Sequence, residues 1–221
     1  MRALESNEIR QDLRGRHGLS PEEVAVIQRQ RLLRAIVACA AVKGVQRTTI
    51  ADIVQAASTS RSAFYEHFES KEECFVEAYD QITAEFIAAA IEASRDAQTW
   101  GAALDAGIAA FFRWGAEKPD QAIPTMVEIH AVGPAGLAAR WRAIEQWTRL
   151  NRAVSARARR EEPTLPIVDD FACSSIVIVA EAHAHDYARR GIAHRLDELI
   201  EPMQRFAKAI IRGLPADGPQ T

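Results

Sequence analysis

Eight side chains that end in hydrogen-bond donors, Arg47, Thr49, Ser60, Arg61, Ser62, Tyr65, His67 and Lys71, lie between positions 47 and 71. Donors of this kind, with the free amides of helix N-termini, hold phosphate oxygens and fix register on a duplex. An arginine beside small residues can also approach base edges in a major groove about 12 Å wide. The stretch is therefore assigned to double-stranded DNA. Arg61 and Ser62 face base edges, while Thr49, Ser60, Tyr65, His67 and Lys71 hold phosphates, with Arg47 a further backbone contact.

Two short helices with a three-residue break position these groups. Thr49 caps the first, whose Ile50, Ile53 and Val54 repeat at i, i+3, i+4 and form one buried stripe. The pattern stops at Ala57-Ser58-Thr59, and Ser60 caps a second helix through Arg61, Ser62, Ala63, Phe64 and Tyr65. Isolated helices below roughly 12 to 15 residues are marginal in water, so this one must be packed on neighbours. Phe64 and Phe68, four apart, face inward to hold it down. Ser70-Lys71-Glu72-Glu73 reads as a capping box, and Lys71 beside its free amides makes a phosphate clamp. The arrangement is that of a helix-turn-helix.

The run Thr49-Ile50-Ala51-Asp52-Ile53-Val54, then Ser60-Arg61, Phe64-Tyr65-Glu66-His67-Phe68 and Ser70-Lys71-Glu72 resembles the tetracycline-repressor (TetR) family of bacterial transcription regulators, over about residues 29 to 79. Two positions depart from the family pattern. Ser58 and Thr59 stand where a glycine and an aliphatic residue are usual, so Thr59 weakens the apolar plug between the helices. Ala40, four residues before Gly44, stands where an aromatic is common. The resemblance implies a ligand-binding helical body whose last two helices pair with those of a second subunit.

Around this stretch the chain is long enough, at 221 residues and 48% hydrophobic, to bury a proper core. The net charge of −3 is unevenly divided. From Arg29 to Lys71 there are seven Lys/Arg against three Asp/Glu, and elsewhere 20 against 27, so positive potential gathers at the motif and the remainder repels a duplex. No apolar run reaches the roughly 18 residues of a membrane span, and the N-terminus has no signal-peptide core, which points to the cytoplasm without membrane contact. Cys39, Cys74 and Cys173 are scattered and read as reduced buried thiols.

The elements expected are all helical, about nine. Residues 1–19 read as a mobile arm whose Arg14-Gly15-Arg16-His17-Gly18 is either a minor-groove contact or a solvated tail. Ser20-Pro21-Glu22-Glu23 opens a helix to Lys43, stopped by Gly44. Helices then follow over 71–94, 99–117 (ended by Pro119), 122–131, 135–160, 168–190 and 192–212, with 215–221 frayed. The domain boundaries drawn are 20–70 for DNA binding and 71–214 for ligand binding and dimerisation.

Within that body, Phe111, Trp114, Met126, Ile129, Trp141 and Trp147 form an aromatic-rich region, and Glu128 and His130 beside them are natural orienting groups for a small hydrophobic ligand; an ordinary packed core explains the same stripe. Phe171, Ile176, Val177, Ile178 and Val179 are apolar nearly all round, as a helix at a homodimer interface or a central core helix would be. His183 and His185 point to different helix faces, leaving Glu181 with His185 as the one apt pair, too few for a metal site. No nucleophile, phosphate-loop or dinucleotide fingerprint is present, so neither an enzyme nor a cofactor is expected. The sequence thus reads as a dimeric regulator, a repressor released from a palindromic operator by a hydrophobic ligand. Its alternatives are a DNA-binding dimer without a ligand, or a helical enzyme or interaction protein.

Overall fold

The computed structural model describes residues 20–213, and both the N-terminal arm and the C-terminal tail expected at 215–221 lie outside the described residues. Among the described residues nine α-helices run in the order α1 (Pro21–Lys43), α2 (Ile50–Ala56), α3 (Arg61–His67), α4 (Lys71–Ser94), α5 (Trp100–Glu117), α6 (Pro119–Met126), α7 (Pro134–Glu161), α8 (Asp170–Arg189) and α9 (Ile200–Arg212). Two 3-10 segments, Glu128–Ala131 and Ala193–Leu199, interrupt them, and the described residues contain no strand. No helix among them is long and apolar enough to cross a membrane.

Most starts are set locally by caps. Ser20 and Glu23 exchange side-chain and backbone bonds, and so do Thr49 and Asp52. Ser60, Ser70, Thr99 and Asp169 each accept an amide of the first turn. The box expected at Ser70 is only half formed, because Glu73 bonds the amide of Glu69 instead of Ser70.

Two expected spans are corrected, both by prolines. Pro119 does not merely end α5; its missing N–H is harmless at N1, so it opens α6 three residues earlier than expected. That helix closes at Met126, and Glu128–Ala131 continues as a tight 3-10 turn. At the C-terminus the single helix expected over 192–212 would place Pro202 in its interior. The chain instead begins α9 at Ile200, with Pro202 in the tolerated first turn. Ahead of it, Ala193, Leu196 and Leu199 are all buried, which is the three-residue repeat of a 3-10 helix.

Packing ties the two ends of the molecule together. One apolar core runs without a break from Leu32, Ile36 and Phe64 of the first three helices, through Phe75 and Phe86 of α4, to Phe112, Ile129 and Leu196 in the body. α4 contributes to both regions, lying against α1 on one side and α5 and α7 on the other. A smaller core of Trp100, Leu104, Ala158, Ile176, Ala207 and Ile211 closes the far end.

Candidate nucleic-acid interface and ligand cavity

α3 is a seven-residue helix held from behind. Phe64 and Phe68 bury their rings 5.7 Å apart, and the Arg29 guanidinium lies 4.4 Å from the Phe68 ring. Arg29 also donates to the His67 carbonyl at 2.9 Å and pairs with Glu77 of α4. This brace was not singled out from sequence, because its partners are 38 and 48 residues away. The turn ahead of α3 is equally fixed. Ser58 takes a left-handed φ of +50°, its amide bonds Gln55, and the Thr59 amide bonds Val54, the two reverse bonds of a Schellman closure. Serine thus fills the site where the family pattern has glycine.

Six of the eight expected donors are exposed on this surface: Arg47, Thr49, Ser60, Arg61, Ser62 and Tyr65. Arg61 reaches the Tyr65 hydroxyl at 3.3 Å, and Tyr65 remains 49% exposed. Ser60 and Ser62 share a hydroxyl bond of 2.9 Å. The Arg47 Nε donates to the Lys43 carbonyl at 2.6 Å. The Thr49 hydroxyl donates to Asp52, whose carboxyl is held below the usual carboxylate range by Lys43 first and Thr49 next.

The other two do not face outward. The Lys71 Nζ donates to the carbonyls of Val45, Gln46 and Thr48 at 2.8–2.9 Å, so its ammonium clamps the α1–α2 loop instead of standing free for a phosphate. His67 is half-buried, with its Nε2 enclosed and without a hydrogen-bond partner among the described residues. Arg29 of α1 holds the His67 carbonyl, and Lys71 reaches the loop that follows α1.

Behind this surface lies a cavity of about 280 Å³ enclosed by α4, α5, α7 and α8, with Met126 of α6 and Met203 of α9 at its edges. Its lining on α4 runs from Tyr79 to Arg95, about 24 Å at 1.5 Å per residue, so the space is elongated. Phe86, Phe111, Phe112, Ile144, Trp147 and Ile176 give it an apolar wall. Tyr79, Thr83, Thr125 and Glu181 gather at the end nearer α1, and Ser94, Arg95 and Asn151 at the other. Burial pushes the Tyr79 phenol up, keeping it a protonated donor. Glu181 is neutralised by Arg140 through two bonds of 2.6 Å.

Of the pocket residues expected from sequence, Phe111, Met126 and Trp147 line this cavity and five do not. Trp114 stacks on the back of Phe86 at 3.9 Å, one layer away. Ile129 is fully in the core, and His130 is exposed against His185. Trp141 turns outward on α7, 52% exposed. Glu128 faces away from the cavity and accepts the Val45 amide at 2.7 Å. The lining of α4 and α8 was missed; its signal was the spacing of Tyr79, Thr83, Phe86 and Ala90 at i, i+4, i+7, i+11 on an otherwise alanine-rich helix.

Comparison with known proteins fits this geometry. Residues 32–78 match the family described as bacterial regulatory proteins, tetR family. No curated protein sequence matches the chain. Among solved structures, the fatty acid degradation regulator FadR from Bacillus halodurans superposes with a TM-score of 0.75 at 15% identity, covering 86% of this chain and 97% of the other. FadR from Bacillus subtilis in complex with stearoyl-CoA gives 0.72 at 14% identity over 84% and 98%. FadR from Thermus thermophilus, a TetR-family transcriptional repressor in complex with lauroyl-CoA, gives 0.61 at 20% identity over 86% and 100%. The helical body shares its fold with these regulators, and residues 32–78 carry the DNA-binding domain of the bacterial regulatory proteins of the tetR family.

Proposed function

We propose that this regulator is a cytoplasmic homodimeric repressor that binds a palindromic operator and leaves it when a linear, largely apolar ligand fills the cavity. Residues 20–70 form the DNA-binding unit, and residues 71 onward the ligand and dimer unit. Arg61 and Ser62 meet base edges; Arg47, Thr49, Ser60 and Tyr65 hold the backbone. The observation that carries the proposal is the pairing, on one chain, of a braced and outward-facing α3 with an elongated apolar cavity behind it. A cavity whose lining extends about 24 Å along α4 favours one unbranched hydrocarbon chain over a compact ring system. The acyl thioesters held by two of the similar solved structures belong to that class.

The dimer face follows from which helices keep apolar surface. α9 buries Met203, Ala207 and Ile211 in its own chain and turns Glu201, Arg205 and Arg212 outward. α7 and α8 instead expose Trp141 and Leu137, and Ile178 and Phe171. The pairing surface is therefore assigned to α7 and α8, which keeps the first of the two helices expected from sequence, 168–190, and exchanges the second, 192–212, for α7.

A gel shift on DNA upstream of the chain's own gene, repeated across salt concentrations, tests the DNA half. Sequence-selective binding that weakens steeply with salt is expected, and indifference to both sequence and salt overturns it. Thermal shift with lauroyl-CoA tests the ligand half; no change in melting temperature at saturating concentration favours a DNA-binding dimer without ligand input.

A further inference from the structure

The cavity and the DNA-facing helices are joined at one small contact. Met126 lines the cavity and ends α6, its carbonyl bonded to the His185 Nδ1 at 2.8 Å. Two residues on, Glu128 crosses to the α1–α2 loop and accepts the Val45 amide at 2.7 Å. The approach is close enough that a Cβ placed on Gly44 would sit 3.1 Å from the same carboxylate oxygen, and Gly44 itself holds a φ of +82°. That loop feeds directly into the Thr49 cap of α2. Lys71 holds the carbonyls of the same loop, so the loop is bonded both to a cation on α4 and to an anion two residues from the cavity wall.

We propose that Glu128 is a positioning residue: its carboxylate on the Val45 amide relays displacement of Met126 to α2 and α3. The inference rests on the ligand-responsive function proposed above, and adds the bond through which the response passes. A charge-assisted bond to a single amide suits the task because it is either made or lost, which gives the loop two discrete arrangements. Other polar contacts cross the boundary, among them Lys71 to the α1–α2 loop and Arg29 to Glu77, but these come from the first two turns of α4, ahead of its cavity-lining stretch, whereas Glu128 follows directly on the cavity-lining end of α6.

Amide hydrogen exchange on the full chain tests this without ligand or DNA. Glu128→Ala should speed exchange over residues 45–60 by about tenfold while α5 and α7, which report a folded body, stay protected. Glu128→Gln, which keeps an oxygen in reach of the amide, should restore most of the protection. The decisive comparison is Met126→Ala. It should raise exchange over 45–60 in the wild-type background and add nothing in the Glu128→Ala background, because both act through one bond. Additive effects, an unmoved loop in Met126→Ala, or an unmoved loop in Glu128→Ala each overturn the relay. Failure of the DNA and lauroyl-CoA measurements would overturn the proposed function instead, and these exchange arms read independently of it.

Discussion

At Lys71 three carbonyls converge on one ammonium, and this changes what its removal does. Hydrogen bonds to a charged group contribute about 1.5–3 kcal/mol, and the carbonyls left behind at the α1–α2 loop would be partly buried. Lys71→Ala should therefore lower the melting temperature and loosen DNA binding through misplacement of α2, while the slope of log affinity against log salt stays near wild type. Arg61→Ala should do the reverse, leaving the melting temperature alone, relaxing sequence preference and reducing the salt slope by roughly one unit if it also contacts phosphate. Fluorescence anisotropy at several salt concentrations separates the two, and a Lys71→Ala slope that drops like that of Arg61→Ala would return Lys71 to the DNA surface. Ser58 offers a cleaner case. It is the one non-glycine residue with positive φ among those described, at the position of the Schellman closure where glycine is favoured. A side chain in the left-handed region costs roughly 1–2 kcal/mol, partly returned by the extra freedom glycine gives the unfolded chain, so Ser58→Gly should raise stability by about 1 kcal/mol in denaturant unfolding.

Helices were legible wherever their starts were decided locally. Ser20, Thr49 and Ser60 act as caps within three residues of themselves, and all three were readable without knowledge of the fold. Pro119 and Pro202 were misjudged because a proline stops a helix or begins one according to what lies upstream, which is a question of tertiary packing. The cavity was less legible still. Phe111 lines it and its near neighbour Trp114 does not, a difference set by the rotation of α5 against α4, and no spacing in α5 alone encodes that rotation. Glu128 had the chemistry of an orienting group, and only the crossing of the 3-10 turn past Gly44 gives it a backbone amide as partner. The same turn yields a prediction at this scale. A Cβ on Gly136, in the first turn of α7, would stand 2.5 Å from the Ile129 carbonyl and 2.6 Å from the Val132 Cβ, and neither can yield without moving the backbone. Overpacking of this kind typically costs 1–3 kcal/mol, so about 2 kcal/mol is expected for Gly136→Ala in thermal or denaturant unfolding, with the Glu128 segment displaced and residues 45–60 exchanging faster. A fully stable Gly136→Ala with unchanged exchange would mean the turn is free to shift.

For the whole molecule the governing facts are an uneven charge and an unfilled face. The basic segment between Arg29 and Lys71 lies at one end of a chain whose net charge is −3, so in the proposed complex the acidic body would be repelled by a duplex and the α3 end would dock. In the proposed complex one seven-residue helix would touch few bases, and two of them, related by a two-fold axis and spaced by about 34 Å, would read a palindrome. The face that can supply this axis is formed by α7 and α8, antiparallel and tied by Arg140–Glu181 and Arg152–Asp170. Phe171 there is 81% exposed, an uncommon state for a phenylalanine unless another surface covers it. Replacing Trp141 and Phe171 together by glutamate should convert the protein from dimer to monomer in sedimentation velocity. Both side chains lie outside the monomer's core, so each folded chain should keep its helicity. Operator affinity should then fall far more than affinity for a single half-site, since the monomer loses the second contact without losing the first. A double variant that still sediments as a dimer would move the interface off α7 and α8. A wild-type chain that stays monomeric at every concentration, yet binds the full palindrome no better than a half-site, would remove the two-fold arrangement altogether.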